Sequence, residues 1–149
     1  MLLRRLSLLL ALSWMAGIFY LSNQPTLDLP SLFENQDKVM HFGAYGLLGI
    51  LLLGAMPLGG GSLGFVPQPN LRSASGALTR HTAGYSSRQI ALATLIASLY
   101  GISDEFHQSF VPGRSPDVLD WLADTSGALL ATLLLAQLSR NIGRARRLS

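Results

Sequence analysis

Three short runs of this chain hold side chains that could do acid–base, ion-binding or anion-binding chemistry. The first is Asp37-Lys38-Val39-Met40-His41, with Tyr45 beyond it. Asp37, His41 and Tyr45 recur every four residues, so on a helix they share one face. An interfacial anchor, with Lys38 and Tyr45 at head-group level, carries the same signature. The second run is Asp104-Glu105-Phe106-His107-Gln108 at the end of an apolar stretch. Adjacent carboxylates there are costly unless solvated or paired, and the dipole at a helix C-terminus adds to the cost. Ala93, Ala97, Gly101 and Glu105 fall on one i, i+4 row whose small residues permit close helix contact, which predicts that Glu105 faces the bundle. Gln108 can share that face. The third run holds Asp117, Asp120 and Asp124. Asp117 suits a helix cap, and Asp120 gains from the same dipole. Asp124 lies about two turns into the helix, too deep for capping, and a carboxylate at that depth is a candidate functional group.

Between the second and third runs, Phe110-Val111-Pro112-Gly113-Arg114-Ser115-Pro116 reads as a tight turn. Arg114 carries a planar fork of donors that matches a carboxylate or a phosphate. A structural pair with Glu105 or Asp120 and a ligand contact are both consistent with it.

These runs need elements to hold them. Four apolar stretches cover residues 6–22, 39–58, 89–106 and 118–138. Each approaches or meets the roughly 17–25 residues with which a helix crosses a hydrocarbon core. A helix satisfies its own backbone groups in lipid, whereas an open strand does not. The composition agrees, with 49% hydrophobic and 13% charged residues against roughly 25% charged in an average soluble domain. The first stretch, after Arg4-Arg5, also resembles a secretory signal. It is longer than an h-region of about 7–15 residues and no A-x-A-like site follows, so a retained helix is expected. Residues 59–88, rich in Gly, Ser and Pro, read as a flexible cytoplasmic loop, with His81 solvated in it. The fold class expected is all-α: a single domain over 1–149 forming a transmembrane bundle of four helices. With no cysteine there are no disulfides.

Charge sets the orientation. With the N-terminus inside and four crossings, Arg4, Arg5, Arg72, Arg80, Arg88, Arg140, Arg144, Arg146 and Arg147 lie on the inner side with no acidic residue. Lys38 and Arg114 lie on the outer side with every Asp and Glu. Short Arg-rich segments stay cytoplasmic, so both termini are expected there, and only an even number of crossings gives this division. The net charge of +3 does not imply nucleic acid, because the basic residues sit in short segments between apolar runs and form no aromatic-laced patch.

The three runs resemble the VanZ-like family of small bacterial membrane proteins, named for a glycopeptide (teicoplanin) resistance determinant. The family's D-K-x-x-H-F-x-x-Y element is matched by Asp37, Lys38, His41, Phe42 and Tyr45. Its D-E-x-x-Q-x-F-x-P-G-R element is matched by Asp104, Glu105, Gln108, Phe110, Pro112, Gly113 and Arg114. In its third element, Asp120 and Gly127 match, while Asp124 stands where the family usually has asparagine and Ala131 where it has a further glycine. The resemblance implies a multi-pass protein of the bacterial cytoplasmic (inner) membrane, with the residues 59–88 as an insertion.

The functional expectation is an outward-facing polar pocket built from Asp37, Lys38, His41, Tyr45, Asp104, Glu105, Gln108, Arg114, Asp120 and Asp124. It would bind a lipid head group, a cell-wall precursor or a glycopeptide from the bilayer's outer face, without catalysis, cofactor, metal or nucleic-acid partner. The alternative is a membrane-embedded enzyme acting on a lipid-linked phosphate or glycan, with carboxylates near His41 and His107 as acid–base groups or cation ligands. The chain has no H-E-x-x-H, nucleophile elbow or P-loop to favour it. Proton or ion transfer through Asp120 and Asp124 is disfavoured, because Leu48–Leu53 and Leu129–Leu135 offer no polar route across.

Overall fold

A computed structural model describes residues 1–25, 32–58 and 84–145. Among these the chain is all-α, with α1 (Leu2–Ser22), α2 (Gln36–Gly54), α3 (Ser87–Gln108) and α4 (Val118–Ala145). Residues 59–83 of the expected loop, His81 among them, and Asp28, Arg72, Arg80, Arg146 and Arg147 lie outside the described residues.

The helix ends differ from the hydropathy reading for local reasons. α2 stops at Gly54 rather than Leu58, because Pro57 disfavours helix in the residue before it. Arg4 Nε donates to the Ala55 carbonyl at 3.1 Å and satisfies one of the groups this leaves. α3 starts at Ser87 rather than Gln89, since Ser86 and Gln89 form a capping box: Gln89 N donates to Ser86 Oγ at 3.3 Å and Ser86 N to Gln89 Oε1 at 2.9 Å. Gln89 Nε2 also donates to the Pro57 carbonyl at 2.8 Å, tying the end of α2 to the start of α3. α3 continues to Gln108 and α4 to Ala145, past the apolar stretches that announce them.

α2 and α4 share the most extensive interface, α3 packs on α4, and α1 leans mainly on α2. Close approach of α2 and α4 requires glycine: a Cβ on Gly127 would overlap the Phe42 carbonyl. The predicted small-residue row holds, with Ala93, Ala97, Gly101 and Glu105 all buried. Polar side chains link the helices. Trp14 Nε1 donates to the Ala44 carbonyl at 2.9 Å, and Tyr100 Oη to the Met15 carbonyl at 2.7 Å. Ser98 and Thr125 hydroxyls meet at 2.8 Å, with Trp121 Nε1 donating to Ser98 Oγ at 3.1 Å.

Beside an apolar core that includes Leu48, Leu53 and Ile90, the bundle buries polar groups and exposes leucines as a water-soluble bundle does not. Leu92, Leu95 and Leu99 on α3 and Leu129, Leu130, Leu133 and Leu134 on α4 face outward, while Asp104, Glu105, Gln108, Asp124 and Thr132 are buried. In water that arrangement costs twice, through exposed apolar area and through desolvated polar groups. α1 and α4 are long and apolar enough to cross a membrane, and most of each apolar window is unburied, unlike the core helix of a soluble protein.

Candidate functional site

The candidate residues gather at one end of the bundle, where α1 and α3 finish and α2 and α4 begin. They form three neighbouring groups there, rather than the single group expected from sequence.

The first group surrounds Lys38. Asn35 adopts φ 59° before α2, a left-handed conformation that Asn tolerates, and sends the chain into the helix. One turn on, Lys38 Nζ contacts Asp117 at 2.8 Å, Asp120 at 3.0 Å and Asp37 at 3.3 Å. The hydrogen bond to Asp117 is the chief cause that raises the Lys38 pKa above its ordinary value, against desolvation. The same bond is the chief cause that holds Asp117 below the usual carboxylate range. Asp37 is desolvated slightly, which acts upward, yet its bonds to the Lys38 backbone and side chain bring it below its ordinary value. Asp117 also caps α4, accepting from Leu119 N at 2.8 Å.

The second group is buried between α2, α3 and α4. His41 Nδ1 and Asp124 Oδ1 are 2.9 Å apart, and the Asp124 side chain is 0% exposed. Glu105 enters from α3 and its Oε2 accepts from Asp117 N at 2.7 Å, joining this group to the first. Asp124 packs against Gly101, where a Cβ would stand 2.8 Å from Asp124 Oδ2. One oxygen of each carboxylate, Glu105 Oε1 and Asp124 Oδ2, is buried without a hydrogen-bond partner.

The third group lines a cavity of about 170 Å³ between α1, α2 and α3. Ile18, Leu21, Met40 and Ala44 give it an apolar wall, and Ser22, His41, Tyr45, Asp104, Gln108 and Arg114 a polar one. Asp104 Oδ2 accepts from Ser22 Oγ at 2.9 Å and from Gln108 Nε2 at 3.2 Å. Tyr45 Oη and Asp104 Oδ1 are buried near each other, and neither has a well-formed hydrogen bond among the described residues.

Several expectations are corrected. Arg114 pairs with neither Glu105 nor Asp120. Its Nε donates to the Gln24 carbonyl at 3.2 Å and its Nη2 to the Leu21 carbonyl at 3.4 Å, capping the C-terminal end of α1, where a cation complements the helix dipole. Tyr45 is no head-group anchor: it is 1% exposed, and its ring lies parallel to that of His41, 6.3 Å between centroids. Asp37, on the same row, is exposed and pairs with Lys38. His107 does not join the carboxylates, but contacts Asn23 Oδ1 at 3.1 Å and lies against the Phe19 ring at a tilt, 4.5 Å between centroids. Glu105, Asp120 and Asp124 do not line the cavity that Arg114 lines; His41 belongs to both places. Ser22 is a site residue that sequence reasoning missed. Its one signal is its position, the last turn of α1 on the acid-rich side.

The three acid-bearing runs and most of the four helices fall within one match. A family model described as VanZ/LLP1 covers residues 7–139, from the second turn of α1 to the last third of α4. No curated protein and no solved structure matches the chain. With the whole site and nearly all of the helical framework inside the matched stretch, the chain belongs to the VanZ/LLP1 family.

Proposed function

We propose that this membrane protein crosses the bacterial cytoplasmic membrane four times, with both termini inside, and binds the head of an envelope lipid or lipid-linked cell-wall precursor in its outward-facing cavity. The observation that carries this reading is the pair of unsatisfied groups in the cavity wall. Tyr45 Oη and Asp104 Oδ1 are a donor and an acceptor buried in the cavity wall; they lie close enough to each other to interact, yet neither has a well-formed hydrogen bond among the described residues. Such groups cost free energy unless something bonds to them. Arg114, at the cavity edge, has its direction fixed by its Nε and Nη2 bonds, and among the described residues its Nη1 has no partner that would keep it from an anion. The apolar half formed by Ile18, Leu21, Met40 and Ala44 suits the chain of the same amphiphile.

Size supports a head group over a larger guest. Pockets that enclose drug-sized ligands run to roughly 300–1,000 Å³, and this one holds about 170 Å³. A whole glycopeptide would have to bind across the rim. Native mass spectrometry of the full chain released from bilayer discs tests the reading. The wild type should retain a phosphate-bearing lipid, and Asp104→Asn and Arg114→Ala should each lower retention by at least about tenfold, the equivalent of about 1.4 kcal/mol. Equal retention by folded variants contradicts it, and a converted lipid in the released fraction would favour the enzymatic alternative.

A further inference from the structure

His41, Glu105 and Asp124 come from three different helices, yet each places one ligand atom within 4.8 Å of the other two. Three donors bound to one ion at about 2.0–2.2 Å stand no more than roughly 3.8 Å apart, so side-chain shifts of about half an ångström to one ångström would bring all three onto a shared ion. Proximity of acids alone would mean little. The second observation is that both carboxylates are more than nine-tenths buried and each keeps one oxygen free of any hydrogen bond. Asp124 Oδ1 faces His41 and Glu105 Oε2 takes the Asp117 N–H, so their remaining oxygens are the ones left over. Asp124 Oδ2 is turned toward α3, against Gly101 and one turn before Glu105.

Charge points the same way. Two carboxylates and one imidazolium leave a buried net negative charge, whereas two carboxylates, a neutral imidazole and a divalent cation sum to zero. The neighbouring cations are committed elsewhere: Lys38 to Asp37, Asp117 and Asp120, and Arg114 to the end of α1. We propose that His41, Glu105 and Asp124 form a binding site for a divalent d-block cation of the zinc or manganese type, which ties α2, α3 and α4 together. An imidazole with two carboxylates suits these ions, while magnesium and calcium prefer all-oxygen shells. This departs from the sequence-based expectation of no metal. It shares only His41 with the cavity, since Glu105 and Asp124 lie outside the cavity lining.

The test uses the purified full chain in detergent, stripped with a chelator and titrated with Zn²⁺, Mn²⁺ and Mg²⁺. Wild type should bind about one equivalent of Zn²⁺ or Mn²⁺ and resist displacement by excess Mg²⁺. Asp124→Asn and Glu105→Gln should each weaken binding at least about tenfold. Arg114→Ala, which alters the cavity rim and the end of α1 but none of the three ligands, should bind as wild type does when folded and so separates this site from the lipid reading. Cobalt provides a readout that needs no variant: Co²⁺ added to wild type should show visible d–d bands of inner-sphere nitrogen and oxygen ligation. Folded wild type that binds neither Zn²⁺ nor Mn²⁺ and shows no cobalt bands overturns the proposal. So does unchanged affinity in a folded Asp124→Asn or Glu105→Gln variant.

Discussion

Lys38 and His41 stand one turn apart on α2, and each is the centre of a charge cluster, but the two clusters are compensated differently. Around Lys38 one ammonium meets three carboxylates, and water reaches the excess negative charge: the side chains of Asp37 and Asp117 are 59% and 40% exposed. Around His41 the counterpart carboxylate, Asp124, has no exposure at all, and Glu105 is nearly as deep. At the rim a mismatch of charge is screened. In the interior the same mismatch has to be removed by a proton or a bound cation, because the Coulomb energy there is several times larger. Two clusters built from similar residues therefore have different work. The outer one joins the start of α2 to the start of α4, and the inner one is where we propose that a cation binds.

The largest expected effect comes from breaking the inner cluster. Asp124→Ala leaves His41 Nδ1 without its buried partner and should lower stability by about 3–5 kcal/mol, read as a fall in thermal unfolding temperature that added salt does not restore. An unchanged unfolding temperature would mean that the His41–Asp124 contact does not join α2 to α4. Next is Gly127→Ala, which leaves both clusters chemically intact but forces α2 and α4 apart at Phe42. Overpacking of this kind costs about 1–3 kcal/mol, and the variant should also disturb the His41–Asp124 distance, so binding at the inner cluster should weaken together with stability.

The outer cluster should respond less. Lys38→Met removes a part-exposed partner, and a loss of roughly 0–1 kcal/mol is expected. That loss should shrink as ionic strength rises, because salt screens the carboxylates left behind. A salt-independent loss as large as that of Asp124→Ala would erase the distinction between the clusters. The smallest effect is on pH. Asp117 is held below the usual carboxylate range by Lys38, so its contribution is complete above its unfolded pKa and fades as pH falls through its lower folded value. Lys38 is raised, so its contribution is complete below its unfolded pKa and fades as pH rises through the folded value. Between those limits, unfolding of Asp117→Asn relative to wild type should show a constant small difference, which acid abolishes.

Much of this was legible in the residues. Four apolar stretches gave four helices, and the small-residue row Ala93, Ala97, Gly101 placed Glu105 on the buried face, because small side chains leave room only for a neighbouring helix. Asp124 was singled out correctly as too deep for a cap. Partner identity was not legible. Helical periodicity says which face a side chain occupies, but not how high α1 stands beside α3, and that height decides that Arg114 meets the carbonyls of Leu21 and Gln24 instead of a carboxylate. Tyr45 illustrates the same limit: tyrosine near a charged helix start has the composition of an interfacial anchor, and only the closeness of α2 to its neighbours buries it. Ser22 could not be recognised alone, since a serine ending a helix is common and its role lies in Asp104, far along the chain.

The central claim is that both charge clusters and the cavity lie toward the outer face of the membrane while the Arg-rich ends stay inside. The absence of native cysteine permits a direct measurement with single introduced thiols at two exposed positions, Ser115→Cys beside Arg114 and Asn141→Cys near the end of α4. Intact cells treated with a membrane-impermeant maleimide should label Ser115→Cys, and should label Asn141→Cys only after the membrane is opened. Labelling of Asn141→Cys in intact cells, with Ser115→Cys protected until lysis, would contradict the account.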